Sequence, residues 1–164
     1  MINVGDIVEY VNGLKGNKTK PVIPANFPSG INIQTFGETK MVSKPWGFEL
    51  WLAHGTELPY ALKMIYITKG NKTSLQYHKE KTEHNVVFAG QVRLYYHDQK
   101  TGEVATEEYS SGSIIQVRPP SVHRIEALTD VFLVEVSSNH LDDVVRLQDD
   151  FKRPDGKIES EHKS

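Results

Sequence analysis

The chain has 164 residues, with 19 Lys and Arg against 21 Asp and Glu, a formal net charge of -2, a 38% apolar fraction and no cysteine. That length fits a single domain, and both signs of charge are scattered, which gives no nucleic-acid footprint. No apolar run reaches the roughly 18–20 residues of a membrane span, and the lack of cysteine excludes a disulfide scaffold and thiolate zinc sites. A mean hydropathy of -0.45 and a start, Met1 to Asp6, with neither a basic nor an apolar leader region predict a soluble chain with no secretion signal, placed in the cytoplasm.

Alternation at Ile2, Val4, Ile7, Val8 and Tyr10 predicts a short strand over Ile2 to Val11. Gly13 to Lys20 is a basic, glycine-punctuated loop that reads as solvated. Pro21, Pro24, Pro28 and Gly30 break any helix, so Pro21 to Gly30 is read as an extended arm lying over the surface or onto a partner subunit. Ile31, Ile33 and Thr35 suggest another short strand. In Lys44-Pro45-Trp46-Gly47-Phe48-Glu49, proline fixes the entry, glycine allows a tight bend and Trp46 supplies buried area.

From Phe48 onward the pattern is β. Strands are expected over Phe48–Ala53, Tyr60–Thr68, Ser74–Tyr77, Glu83–Phe88, Gln91–His97, Glu103–Tyr109, Ser113–Val117, His123–Glu126 and Val131–Val136. Turns fall at Gly70-Asn71, His97 to Gly102 and Ser110 to Gly112. Short strands at regular spacing make the chain all-β, a jelly-roll β-barrel. One short C-terminal helix is predicted, capped by Ser137-Ser138-Asn139, with Asp142 and Asp143 in its first turn and an apolar stripe of Leu141, Val144 and Val145. The domain reading is residues 1–43 as an N-terminal extension, 44–153 as barrel and helix, and 154–164 as a polar tail.

The chemistry concentrates between Gly70 and Gly90. Gln76 and His78 are two apart and share a strand face, and Glu83 follows a short turn. His123 comes later, after Pro119-Pro120-Ser121-Val122. Each residue alone reads as an ordinary surface residue, but together Gln76, His78, Glu83 and His123 form a candidate metal site. Imidazole and carboxylate donors point to a divalent ion, zinc first, with manganese, iron, nickel or cobalt as alternatives.

These residues carry a family resemblance. Gly70, Gln76, His78, Glu83 and Gly90 resemble the first cupin motif, with Gln76 replacing its first histidine as in the phosphomannose isomerases. Gly112 and Pro119 to His123 resemble the second motif, with shifted spacing and Ser121 in place of glycine. Lys44-Pro45-Trp46-Gly47 and the stretch Leu141 to Phe151 are similar to the cupin part of bifunctional mannose-1-phosphate guanylyltransferase/mannose-6-phosphate isomerases. The likeness covers Lys44 to Arg153, about two thirds of the chain.

The resemblance implies a cupin barrel and a metal-dependent aldose-ketose isomerase of sugar phosphates, most simply mannose 6-phosphate to fructose 6-phosphate. A metal-dependent dioxygenase and a non-catalytic sugar-binding module are the alternatives. Lys81 is the candidate base, with Glu80 and His84 nearby. Arg124 is the leading phosphate group, assigned with Lys81 to the catalytic set, and Lys63 and Arg118 are further substrate-binding candidates. The expected partners are a small sugar phosphate and a second copy of the chain paired across an exposed edge strand, with neither nucleic acid nor membrane.

Overall fold

In a computed structural model, the residues described are 30–162. The expected strand at Ile2–Val11, the basic loop and all but the last residue of the proline arm lie outside them. The chain divides into Met1–Ile33 and Gln34–Ser164. Residues 30–33 of the first unit are exposed and irregular, so Ile31 and Ile33, 84% and 85% exposed, do not form the expected strand. Thr35 instead precedes a 3-10 turn at Phe36–Glu38. The Glu38 carboxylate ties that turn by accepting from the Thr35 amide and hydroxyl, both at 2.8 Å.

Among the described residues the second unit holds eleven strands, β1 Lys40–Lys44, β2 Gly47–Ala53, β3 Tyr60–Ile67, β4 Leu75–Tyr77, β5 Glu83–Ala89, β6 Gln91–His97, β7 Val104–Ser110, β8 Ile114–Val117, β9 His123–Ala127, β10 Val131–Ser138 and β11 Val145–Gln148. They form two antiparallel sheets, ordered β1-β2-β3-β10-β5-β8 and β11-β4-β9-β6-β7. This is the expected all-β jelly roll. Gly47 and Gly90 sit at positive φ where a Cβ would lie 2.0 Å from the Tyr66 carbonyl oxygen and 2.3 Å from that of Asp130, so only glycine fits these turns.

The two sheets close on a core that includes Trp46, Ile67, Val87, Val92 and Leu133. Ile67, Val87 and Val92 are fully buried, each removing about 1.5–3 kcal/mol of apolar exposure from water. Alternation then fixes each sheet's outer face. On the six-stranded sheet, Phe48, Tyr66 and Phe132 are register partners across three strands, with ring centroids 5.2 and 4.9 Å apart.

The segment expected to be helical is not. Ser137 and Ser138 end β10, and the Asn139 amide donates to the Gly55 carbonyl at 2.6 Å. The Asp143 carboxylate accepts from the backbone of Lys79, Glu80 and Lys81 at 3.0, 2.7 and 2.9 Å. The acid meant for a helix N-terminus thus caps the turn after His78. Val145–Gln148 pairs with β4 as β11, which satisfies the backbone groups of an otherwise unpaired sheet edge and places the β-branched Val145 in a strand. A 3-10 turn at Glu159–His162 follows in the segment read as a polar tail. Among the described residues no helix is long and apolar enough to cross a membrane.

Candidate metal centre

Strand geometry delivers the donors. Gln76 on β4 and His123, the first residue of β9, are register partners, so their side chains leave one face side by side. His78 follows β4 directly, and Glu83 is the first residue of β5. Glu83, His78 and His123 are buried at 3%, 1% and 5% exposure. Their ligating atoms all lie within 4.8 Å of one another.

Hydrogen bonding selects the imidazole tautomers. His78 Nδ1 donates to the Asp143 carbonyl, and His123 Nδ1 donates to that of Ser121 at 3.1 Å. Each ring therefore turns an Nε2 lone pair inward, the second-sphere arrangement that orients metal-binding histidines. His78 Nε2 faces Glu83 Oε1 at 3.1 Å and His123 Nε2 faces Oε2 at 3.6 Å. His78 Nε2 is buried without a hydrogen-bond partner, and a proton or a metal ion between it and Glu83 relieves the repulsion of two acceptors this close. The donor set fits a divalent ion, since ligands about 2.0–2.2 Å from a metal lie near 3.5 Å from each other. His78, Glu83 and His123 can hold it. Gln76 lines the same cavity, and its Oε1 accepts the Ser74 hydroxyl at 2.5 Å.

Charge surrounds these donors. A chain of alternating sign runs across the inner face of the six-stranded sheet. Lys44 lies 3.7 Å from Glu49, Glu49 3.4 Å from Lys63, Lys63 3.7 Å from Glu135 and Glu135 3.0 Å from Lys81, which also bonds Glu83. Trp51 donates to Glu49 at 2.7 Å, and its ring lies under the Lys63 ammonium at 4.7 Å. Burial works to raise the Glu49 carboxyl, but Lys63, Lys44 and Trp51 bring it down to about 2. Glu83 is likewise held well below the usual carboxylate range by Lys81 and the two imidazoles, against burial. Burial pulls His123 below its ordinary value in spite of Glu83, which favours the neutral ring a metal needs.

The expected residues divide into two groups. Gln76, His78, Lys81, Glu83, His123 and Lys63 all line one cavity. Lys81 does line it, paired with Glu135 and Glu83: burial opposes its charge, but the two carboxylates raise its pKa, which favours the ammonium over the free amine a base needs. Arg124 is not brought to the cavity. Alternation turns it outward from β9, and its guanidinium donates to the Gln148 carbonyl at 3.0 Å and to Asp150 at 3.3 Å. Arg118 is exposed in the turn after β8 and Glu80 is exposed. His84 points out of the barrel, where Gln116 donates to its Nε2 at 2.9 Å.

Sequence reasoning missed Glu49, Glu135, Arg146 and Arg153, which also line the cavity. The signal for the two carboxylates was present. Each is a charge at an inward position of an apolar strand, Phe48-Glu49-Leu50 and Val134-Glu135-Val136. Arg146 was hidden by the helical reading of its segment.

The family described as mannose-6-phosphate isomerase C-terminal matches residues 32–149. No protein of curated function matches the sequence. Among solved structures, oxalate decarboxylase from Bacillus subtilis at pH 4.6 matches with a TM-score of 0.62 and 19% identity, over 82% of this chain and 41% of that one. The capsular polysaccharide assembling protein CapF from Staphylococcus aureus matches with a TM-score of 0.57 and 15% identity, over 66% of this chain and 31% of that one. CapF with the inhibitor 3-isopropenyl-tropolone gives 0.57 and 17%, over 66% and 34%. The chain therefore spans about a third of the length of the CapF structures it matches. At these identities the likeness is one of fold.

Proposed function

The chain belongs to the mannose-6-phosphate isomerase C-terminal family, within the cupins, and from that premise we propose that it is a metal-dependent aldose-ketose isomerase acting on a hexose 6-phosphate of the mannose/fructose type. The observation that carries this reading is the pair of inward Nε2 lone pairs, from His78 and His123, set against the two oxygens of Glu83 in a cavity walled by paired Lys and Glu side chains. A divalent ion held there supplies a Lewis acid for the substrate oxygens at C1 and C2.

The chain's own residues do the rest. The Lys81 ammonium, 3% exposed, donates to the oxygen on which charge develops. Glu135, 3.0 Å from Lys81 and absent from the metal donor set, takes the proton from C2 and returns it to C1. Glu135 replaces Lys81 in the role of base because an ammonium has no lone pair to offer. Lys44, Arg146, Arg153 and Lys157 line the same cavity. Arg146, whose Nη1 donates to the Pro154 and Gly156 carbonyls while its Nε is buried without a partner, lines the cavity and takes the phosphate role expected of Arg124 and Arg118, with Lys63 bound up in carboxylate pairs.

The test is elemental analysis of the purified protein, followed by conversion of mannose 6-phosphate to fructose 6-phosphate before and after chelation. Turnover lost on chelation, restored by one divalent metal and reduced at least a hundredfold in Glu135→Gln with the metal retained is the expected result. Stoichiometric metal with no turnover of any aldose or ketose phosphate replaces the isomerase by a sugar-binding module. A protein that takes up no metal removes both the isomerase and the dioxygenase.

A further inference from the structure

The paired charges of the cavity wall end on a carboxylate that comes from far along the chain. Lys44, the last residue of β1, donates to Glu161 Oε2 at 2.8 Å, closer than its 3.7 Å to Glu49. The other oxygen of that carboxylate, Oε1, accepts from Arg153 Nη1 at 3.3 Å. Glu161 stands in the 3-10 turn at Glu159–His162, 117 residues from Lys44. The side chains of Lys44, Arg153 and Glu161 are 9–10% exposed, so water screens these pairs little. Lys44 and Arg153 both line the cavity, beside Arg146. A carboxylate thus sits with one oxygen on each of two cations of the wall.

We propose that Lys44 and Arg153 form an anion site in the wall of the metal cavity, that its ligand is the phosphate of a sugar monophosphate, and that Glu161 fills it as an internal plug which the phosphate displaces. The plug presupposes the phosphate reading proposed above and adds the regulation of that site. Charge is the first argument. A phosphate monoester brings about -1.5 to -2 charges at pH 7 and three acceptor oxygens, where Glu161 brings one charge and two oxygens. The wall has a third cation to offer it. Burial and the neighbouring Arg153 pull the Arg146 guanidinium below its ordinary value, against Asp149 and Glu161, so a second negative charge at this point is favourable.

The ease of removing Glu161 is the second argument. Breaking a buried ion pair is costly when a charge is left without a partner. Neither cation is left so here. Arg153 keeps Asp149, which accepts from its Nε at 3.0 Å and its Nη2 at 2.7 Å, a two-point fork of the strong kind. Lys44 keeps Glu49 at 3.7 Å. The turn that carries Glu161 belongs to neither sheet, so its withdrawal breaks no strand ladder. Its internal tie is the Glu161 amide on the Ile158 carbonyl at 3.0 Å, which moves with it. Glu161 is therefore held by the two cations that a phosphate would take from it.

The experiment is calorimetric titration of the full chain with inorganic phosphate at constant ionic strength, comparing the unaltered chain with Glu161→Gln, which keeps the side chain's size and removes its charge. A plug in place about nine-tenths of the time weakens a competing anion about tenfold, so Glu161→Gln should bind phosphate about tenfold more tightly. Adding Lys44→Gln to that variant should weaken binding again. Glu108→Gln, the same change of net charge on the other sheet, should leave the affinity unchanged. In the unaltered chain, hydrogen exchange over residues 158–162 should speed up when phosphate is added, and this decides the question if Glu161→Gln fails to fold. Phosphate bound by Glu161→Gln no more tightly than by the unaltered chain overturns the plug and leaves the phosphate reading standing, with Glu161 an ordinary structural partner; exchange that phosphate leaves unchanged or slows does the same where the variant does not fold. An equal gain in Glu108→Gln, or indifference to Lys44→Gln, overturns the site at this pair. No phosphate binding by either form overturns the plug and the phosphate reading together.

Discussion

The outer face of the five-stranded sheet carries Arg93 bound to Glu108 at 2.7 Å and to Glu126 at 3.2 Å, with the Tyr95 hydroxyl on the same Glu126 at 2.6 Å. The outer face of the six-stranded sheet carries the Phe48, Tyr66 and Phe132 row. The first pattern is that of a sheet with one side in water and the other on the core. The second follows from where the chemistry sits. The cavity takes its charged wall from the six-stranded sheet, so that sheet's alternation puts Lys and Glu inside and leaves apolar residues for the outside. Buried charges are tolerated only when paired, which is why the wall is a continuous series of opposite signs.

The largest expected effect comes from breaking that series. Glu135→Ala leaves Lys63 and Lys81 without their shared carboxylate, and urea unfolding should show a loss of about 3–5 kcal/mol. A loss below about 1 kcal/mol would mean that water already screens the wall.

Neighbouring residues of β10 separate the two faces of one strand. Leu133→Ala, in the core at 1% exposure, should cost about 2–5 kcal/mol. Val134→Ala, on the outer face, should cost within about 0.5 kcal/mol if that face is bare and clearly more if it is covered. Denaturant midpoints measured at two protein concentrations distinguish these, because a dimer's midpoint rises with concentration.

Acid should act through the wall as well. The Glu49 carboxyl is at about 2 in the folded chain against an ordinary 4.5. As pH falls the unfolded state takes up this proton first, so the stabilisation present above about pH 4.5 is lost between 4.5 and 2. Glu49→Gln should flatten that part of the stability profile, read by thermal unfolding across the window. The smallest effect belongs to the five-stranded sheet. Arg93 is about a third exposed, and Arg93→Ala should cost less than about 1 kcal/mol, shrinking further in high salt.

Much of this was legible in the chain. Period-two runs such as Tyr60 to Ile67 and Val131 to Ser138 announced strands, and the spacing of Gln76, His78 and Glu83 announced neighbouring donors, although β4 and β5 lie in different sheets rather than in one hairpin. The turn at His97 to Gly102 closes as expected, with the Asp98 amide on the Glu103 carbonyl at 2.9 Å. The phosphate candidates Arg124 and Arg118 were chosen for nearness in sequence to His123, and one step along a strand reverses the side on which a residue emerges. The helix over Leu141 to Phe151 failed because its acids and β-branched residues suit a cap or a strand edge equally well, and Asp143 found three backbone amides 62 to 64 residues away in sequence.

Local pattern, a property of adjacent residues, therefore determined most of the strands and turns, the all-β class and the donor types, but not β1, β11 or the irregular stretch at Ile31 to Thr35. Tertiary structure alone decided which charges meet. The Lys81 contact to Glu135 spans 54 residues, and the tautomer of His78 is set by a carbonyl 65 residues away. Such contacts depend on how two sheets align across a cavity, and no window of neighbouring residues contains that information.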